Sequence, residues 1–214
     1  MVVVARVLSV NVGTPKQIAA RRGRPLMSSI GKAPVDGRVR VQGVNVAGDD
    51  QADRRVHGGP DKAVYSYAWE DTLWWSARLA RELGPGMFGE NLTLEGVDAS
   101  HAVVGERWRI GTVELEACQP RLPCAKLGHR FGDQRMVRRF AEAGRPGAYL
   151  RILTEGELGA GDHDQVHITH TPSHGVTVAD ISRAILLDET ELAVAARAPA
   201  LPESLARWML ERAA

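Results

Sequence analysis

The strongest constraint on this chain is a series of short alternating apolar segments over roughly its first 170 residues, with glycine at nearly every junction. Near the start, Val7, Ser9 and Asn11 alternate with Leu8, Val10 and Val12, the period-two pattern of a first strand. Residues 39–46 alternate likewise and stop at the turn signal Gly48-Asp49-Asp50. Further strand candidates are residues 63–67, 91–94, 107–110, 113–117, 148–153 and 165–169. Short strands at this spacing predict a mainly β chain closed, or nearly closed, into a barrel. Two helices interrupt the series. Residues 69–83 place Leu73, Trp74, Ala77 and Ala80 on one stripe and end at Gly84-Pro85-Gly86, and residues 134–143 end before Gly144. On this reading Trp74 packs in the core, while Trp75 lies off the stripe and is exposed.

After Thr171-Pro172-Ser173-His174-Gly175 the strand pattern ceases. Residues 178–187, 190–197 and 202–212 predict three short helices. Thr177 caps the first, with Asp180 in its first turn, and Pro202 suits a helix start. The expected division is a barrel domain over residues 1–172 and a three-helix segment over residues 173–214.

The 214 residues are enough to bury a sizeable core. Hydrophobic content of 44% and charged content of 25% exclude extended disorder. The net charge of +1 argues against a nucleic-acid partner, which needs a dominant basic face. No run of about 18 apolar residues reads as a membrane span, and the start lacks the pattern of a secretory signal. Two cysteines, Cys118 and Cys124, are too few for a disulfide framework, so a reducing cytoplasm is the expected compartment.

Three stretches concentrate residues that folding alone does not demand. In Val56-His57-Gly58-Gly59-Pro60-Asp61-Lys62-Ala63, paired glycines let a backbone approach a ligand, and His57 and Lys62 add donors. A plain Gly-Gly-Pro turn between strands would use the same residues. In Met87-Phe88-Gly89-Glu90-Asn91-Leu92, Glu90 and Asn91 precede an apolar strand and suit either a turn or a site. In Cys118-Gln119-Pro120-Arg121-Leu122-Pro123-Cys124-Ala125-Lys126-Leu127, two prolines stiffen the loop that aims Cys124. Arg121 and Lys126 bracket its thiol, which favours thiolate, the form that attacks electrophiles and binds soft metals. Cys118 ends the apolar strand of Val113, Leu115 and Ala117 and reads as a small buried hydrophobe.

In this combination and order, the three stretches resemble the MOSC family, the molybdenum-cofactor-sulfurase C-terminal type domains, and within it the YiiM-like bacterial subgroup. The tail from Ser173 resembles the short three-helix segment that follows the domain in that subgroup. The resemblance implies a MOSC-type β-barrel that holds molybdenum cofactor (molybdopterin), with Cys124 as sulfur ligand to the metal. It further implies that Gly58, Gly59, Asp61, Lys62, Tyr65, Glu90, Asn91, Arg121 and Lys126 line the cofactor pocket. Other branches carry the cysteine directly after an arginine, whereas Leu122 and Pro123 separate Arg121 from Cys124 here. The implied activity is reduction of N-hydroxylated compounds such as hydroxylaminopurines and amidoximes. No flavin, haem or iron–sulfur motif is visible, so the electrons are expected from a separate flavin- or iron–sulfur-containing donor. His57, with an ordinary pKa close to working pH, is the candidate proton donor.

Two other functions use the same features. A sulfur or cofactor carrier would employ Cys124 as persulfide or thiolate. A helix-turn-helix in the tail would need a basic recognition helix, but that segment is net acidic; packing on the barrel or forming a homodimer suits it better. His163, His167, His170 and His174 have helical metal-ligand spacing, yet the pattern around them is that of a strand broken by Pro172.

Overall fold

The computed structural model describes residues 4–21, 24–52, 58–161 and 164–214. Its strands are β1 (Arg6–Val12), β2 (Lys16–Arg21), β3 (Arg24–Ser28), β4 (Ala33–Pro34), β5 (Arg38–Gln42), β6 (Asn45–Val46) and β7 (Val64–Ala68). After helix α1 (Trp69–Leu79) come β8 (Leu92–Glu95), β9 (Arg107–Ile110) and β10 (Val113–Pro120). Helices α2 (Ala125–Phe131) and α3 (Met136–Ala143) precede β11 (Ala148–Thr154), β12 (Gly156–Gly159) and β13 (Val166–His170). The chain ends in α4 (Val178–Leu186), α5 (Leu192–Ala195) and α6 (Glu203–Ala213).

Eight strands form one sheet in the order β13-β9-β10-β11-β7-β8-β1-β4. All its pairings are antiparallel except β7 with β8, which run parallel across the α1 crossover. The sheet then curls until its two sides meet. Val7 N donates to Asp164 O (3.2 Å), Val166 N donates to Ala5 O (2.8 Å), and Arg6 pairs with Gln165 between them. The nearly closed barrel expected from the strand spacing is therefore present. The buried Asp164 carboxylate reinforces the seam, receiving Arg38 Nη1 on both oxygens (2.9 and 3.0 Å) and Gly159 N at 2.5 Å. Those two donors belong to β5 and β12, neighbours in the small three-stranded sheet β12-β5-β6. A separate hairpin, β2–β3, lies beside α2.

Apolar alternation explains the interior. Val7, Val10, Leu92, Leu94, Trp108, Ile110, Leu115 and Leu150 are fully buried, each contributing about 1.5–3 kcal/mol by leaving water. The same apolar cluster continues through Val178, Ile181, Ala184, Leu192 and Met209, so the terminal helices cover one side of the barrel. Thr177 and Asp180 form the expected capping box at α4. A second cluster, richer in aromatic rings, unites Tyr65, Tyr67, Trp75, Phe88, Leu127 and Phe140 beneath α1, α2 and α3.

The predicted face of α1 is corrected here. Trp75 is buried and donates its indole N–H to Tyr67 Oη (3.0 Å), Leu73 is half exposed, and Trp74 packs edge-on against Trp75. The buried face carries Asp71 and Thr72, polar residues that an apolar-stripe reading turns outward. Asp71 stays inside because Arg145 and Ser100 pair with its carboxylate.

Candidate functional site

On one rim β1 finishes, at Val12, and β7 and β8 begin, at Val64 and Leu92; β11, antiparallel to β7, sets Tyr149 opposite Tyr65, and the loop after β10 leaves from Pro120 beside it. The surrounding loops frame a cleft of about 670 Å³ counted to its open mouth. Lys62, Tyr65, Asn91, Arg121, Cys124 and Lys126 all line it. Residues from the three separate sequence stretches thus share one cavity.

Cys124 is the N-cap of α2, with extended backbone (φ −140°, ψ 172°), and directly follows Pro123. Its thiol is free and half-buried. Cys118 has the opposite setting. It is fully buried, its thiol donates to Asp61 O (3.1 Å) and Tyr149 O (3.4 Å), and burial pushes its pKa up to about 12. Cys118 is a core residue, and Cys124 is the thiol that chemistry can reach.

Arg121 is 6% exposed, and its guanidinium lies over the rings of Phe140 (5.2 Å) and Tyr65 (5.9 Å). Its Nη1 is buried with no hydrogen-bond partner among the described residues, and the same holds for Ser29 Oγ, which lines the same cleft. Native interiors seldom leave such atoms unpaired, because each costs about 1–3 kcal/mol and more when charged. Tyr65 is less available to a ligand. Its hydroxyl donates to Pro146 O (2.8 Å), and burial pushes its pKa well above the ordinary phenol value.

Asn91 organises the cleft floor. Its Oδ1 accepts from Tyr65 N (3.1 Å), and its Nδ2 donates to Asn11 O (3.3 Å) and Asp49 Oδ2 (3.0 Å). Asp49 also accepts from Gly13 N (2.8 Å) and pairs with Lys32. Burial pulls the Lys32 pKa down despite that partner, and burial does the same to Lys62 beside Asp61. Sequence reasoning missed Ser29, Lys32, Asp49 and Tyr149, all of which line the cleft. Gly48-Asp49-Asp50 showed only its turn character, and residues 29–32 carried no period at all.

Four predicted pocket residues stand elsewhere. Glu90 is fully buried, and its carboxylate is spent on its own loop, accepting from Gly86 N (2.6 Å), Phe88 N (3.0 Å) and Thr93 Oγ1 (2.9 Å). That loop carries the wall formed by Phe88 and Gly89. Gly86 and Gly89 hold φ of +78° and +80°, and a Cβ there would come within 2.8 Å of Lys32 O and 2.9 Å of Ile30 Cγ1. Only glycine lets it close on the 29–32 segment. Gly59 serves the turn into Pro60–Lys62, with φ +95° and open space where a Cβ would stand. Asp61 turns away to Arg151 (2.8 Å) and, with Gly58, faces a second cleft against α6. His57, the expected proton donor, lies outside the described residues, as does His163. His174 uses both ring nitrogens on backbone groups, Nε2 with Val104 O (2.9 Å) and Nδ1 with Val176 N (3.1 Å). Among the described residues no group of three or more His, Cys, Asp or Glu side chains is placed to hold a metal ion, and no helix is long and apolar enough to cross a membrane.

The comparisons agree with this architecture. The MOSC domain family model matches residues 53–164. An uncharacterized protein, YflK, from Bacillus subtilis is 39% identical over 155 residues, covering 72% of this chain and 70% of its own length. A protein described as a reductase from Gibberella moniliformis is 31% identical over 199 residues, which span 91% of this chain but 35% of that larger protein. The crystal structure of YiiM from Geobacillus stearothermophilus superposes with a TM-score of 0.78 at 28% identity, over 98% of this chain and 100% of that one. With the family model spanning half the chain and YflK matching over two thirds of both lengths, the chain belongs to the MOSC domain family, among its YiiM-like members.

Proposed function

We propose that this protein holds molybdenum cofactor in the rim cleft and reduces N-hydroxylated compounds with electrons delivered by a separate flavin- or iron–sulfur-containing reductase. The observation that carries the reading is the pairing of a reachable thiol, Cys124, with a buried cation, Arg121, whose Nη1 has no hydrogen-bond partner among the described residues, in one cavity. A group with a soft metal at one end and a phosphate at the other needs a thiolate and charge-assisted donors, and the cleft residues fit it. When bound, the cofactor supplies the two-electron chemistry that no side chain provides.

This chain's own residues do the rest. Cys124 is the protein ligand to the metal. Arg121, Lys62 and Lys126 hold the anionic oxygens, with the Ser29 hydroxyl as an additional donor. The Asn91–Asp49–Lys32 network fixes the floor against which the group is oriented. Lys32 and Lys62, whose ammonium protons burial loosens, are cleft-facing acids. Overall, the substrate takes up two electrons and two protons, its N–O bond breaks, and water leaves with the parent amine or amidine.

The reductase-described relative from Gibberella moniliformis supports the reaction class. The test is molybdenum analysis of wild type and Cys124→Ala from a cofactor-competent host, followed by benzamidoxime reduction with a chemical electron donor. The expected result is near-stoichiometric metal and activity in wild type, with both lost in the variant. Full metal retention and activity in Cys124→Ala would overturn the assignment. Bound sulfane sulfur without molybdenum in wild type would select a sulfur carrier instead.

A further inference from the structure

Lys62 stands between two cavities. Besides the rim cleft, it lines a second cleft of about 740 Å³, which opens between the Gly58–Lys62 loop and the first turns of α6. The two walls of this cleft are tied together by one side chain. Arg151 reaches Asp61 on the loop (2.8 Å), Ala200 O just ahead of α6 (3.0 Å) and Glu116 within the barrel (3.2 Å). The opening is thus built into the fold, since its loop and helix share an anchor.

The lining has a definite chemistry. Met209 is fully buried and pins α6 to the barrel, yet its neighbour Trp208 is 40% exposed and turns its ring toward the cleft, with Arg212 over the ring at 5.7 Å. An indole at a cavity wall offers a large flat surface for a planar ring. Pro60, Pro202 and Leu205 supply apolar edges. Gln119 donates its Nε2 to Asp61 O (2.9 Å), which leaves Oε1 as an acceptor for a ligand N–H, and the Ser204 hydroxyl stands nearby on the helix. Asp61, the carboxylate that lines the cleft beside Lys62, is engaged by Arg151, so a neutral ligand is favoured over a cationic one.

We infer that this second cleft is the substrate subsite: a neutral, planar N-hydroxylated compound lies against Trp208, its N–H toward Gln119 Oε1 and its N–OH end toward Lys62, the residue common to both cavities. The inference rests on the reductase reading above and assigns the terminal segment a part in substrate selection. It also accounts for turnover. An amidine product is a strong base and carries positive charge at neutral pH, so the Lys62 side repels it while the neutral amidoxime is retained.

The test measures binding of benzamidoxime to the full chain by ligand-observed NMR, without an electron donor so that nothing turns over. Trp208→Ala is expected to weaken binding roughly 5- to 150-fold, the range for loss of one ring stack, and Trp208→Phe is expected to keep most of the affinity. Ser204→Trp, at an exposed position, fills the cleft without touching the core and is expected to weaken binding as well. Molybdenum content should be unchanged in all three, and KM should rise in Trp208→Ala while kcat holds. Unchanged benzamidoxime affinity in both Trp208→Ala and Ser204→Trp, or benzamidine binding more tightly than benzamidoxime, would overturn the subsite. Absence of metal and of reduction in wild type would instead overturn the reductase reading, whatever the binding data.

Discussion

Replacing Arg121 with methionine should stabilise the fold and at the same time weaken the cleft's hold on anions. Methionine keeps a long apolar stem against the Tyr65 and Phe140 rings and removes the guanidinium. Leaving a buried donor unpaired costs about 1–3 kcal/mol, and more when it is charged. The opposing terms are the two ring contacts, each about 0.5–2 kcal/mol. They lie at 5.2 and 5.9 Å, and the longer one approaches the limit of useful range. A methionine sulfur recovers part of that contact. The balance is a gain of about 1 kcal/mol in cofactor-free protein, or about 2–4 °C in Tm for a chain of this size. Hydrogen bonds to a charged ligand are worth about 1.5–3 kcal/mol, so anion affinity should fall roughly 10- to 150-fold. The assay is thermal unfolding of cofactor-free protein with and without inorganic phosphate. Wild type should melt lower and gain more from phosphate. A variant that melts lower than wild type, with an undiminished phosphate shift, would make Arg121 a residue of the fold and refute the reasoning.

Three further outcomes follow from the two cysteines and from the aromatic cluster. Alkylation of the native chain should label Cys124 and spare Cys118, whose thiol is buried and pushed up to about 12. A folded pKa raised above the unfolded value of 9.0 gives stability that is complete below that value and is lost as pH rises toward 12. Cys118→Ala should therefore flatten part of the alkaline fall in urea-unfolding stability between pH 8.5 and 10.5 (~1.4 kcal/mol for each pH unit of fully coupled titration). An unchanged slope would exclude Cys118 as its source. Trp75→Ala should cost about 3–5 kcal/mol by denaturant unfolding, because the indole is fully buried, stacks on Phe140 (6.2 Å, 7°) and bonds Tyr67 Oη. A loss under about 1 kcal/mol would show that the cluster repacks around the smaller side chain.

The barrel was legible because its strands are short and their apolar residues recur at period two. The 107–110 and 113–117 segments became a hairpin whose second strand continues to Pro120. What escaped was structure held by partners far away in the chain. The 156–159 segment, with glycine at both ends and no apolar alternation, is a strand because it pairs with β5, more than a hundred residues earlier. The helix following Cys124 has seven residues and no side-chain cap, too short for a periodic signature. The α1 face was misread for a related reason: burial of Asp71 depends on Arg145, which no local pattern announces.

The same distinction divides the site. Cys124, Arg121, Lys126 and Lys62 were found because cations and a thiol at a stiff proline loop or a glycine turn have chemistry that folding does not require. Glu90 and Asp61 have equally reactive side chains, yet the structure spends them on neighbours. Glu90 receives three donors from its own loop and strand, and Asp61 meets Arg151. Residue type and spacing cannot separate a carboxylate offered to a ligand from one offered to a backbone. Conversely, Lys32 and Asp49 look like ordinary loop residues, and they enter the site only because β1 pairs with β8, some eighty residues later, and brings Asn91 within reach of Asp49. A buried ion pair gains its geometry from all the groups that desolvate it, so its place in a site is a property of the closed fold. The half of the cleft proposed to bind anions is therefore a tertiary construction, while the thiol proposed to bind metal is a local one.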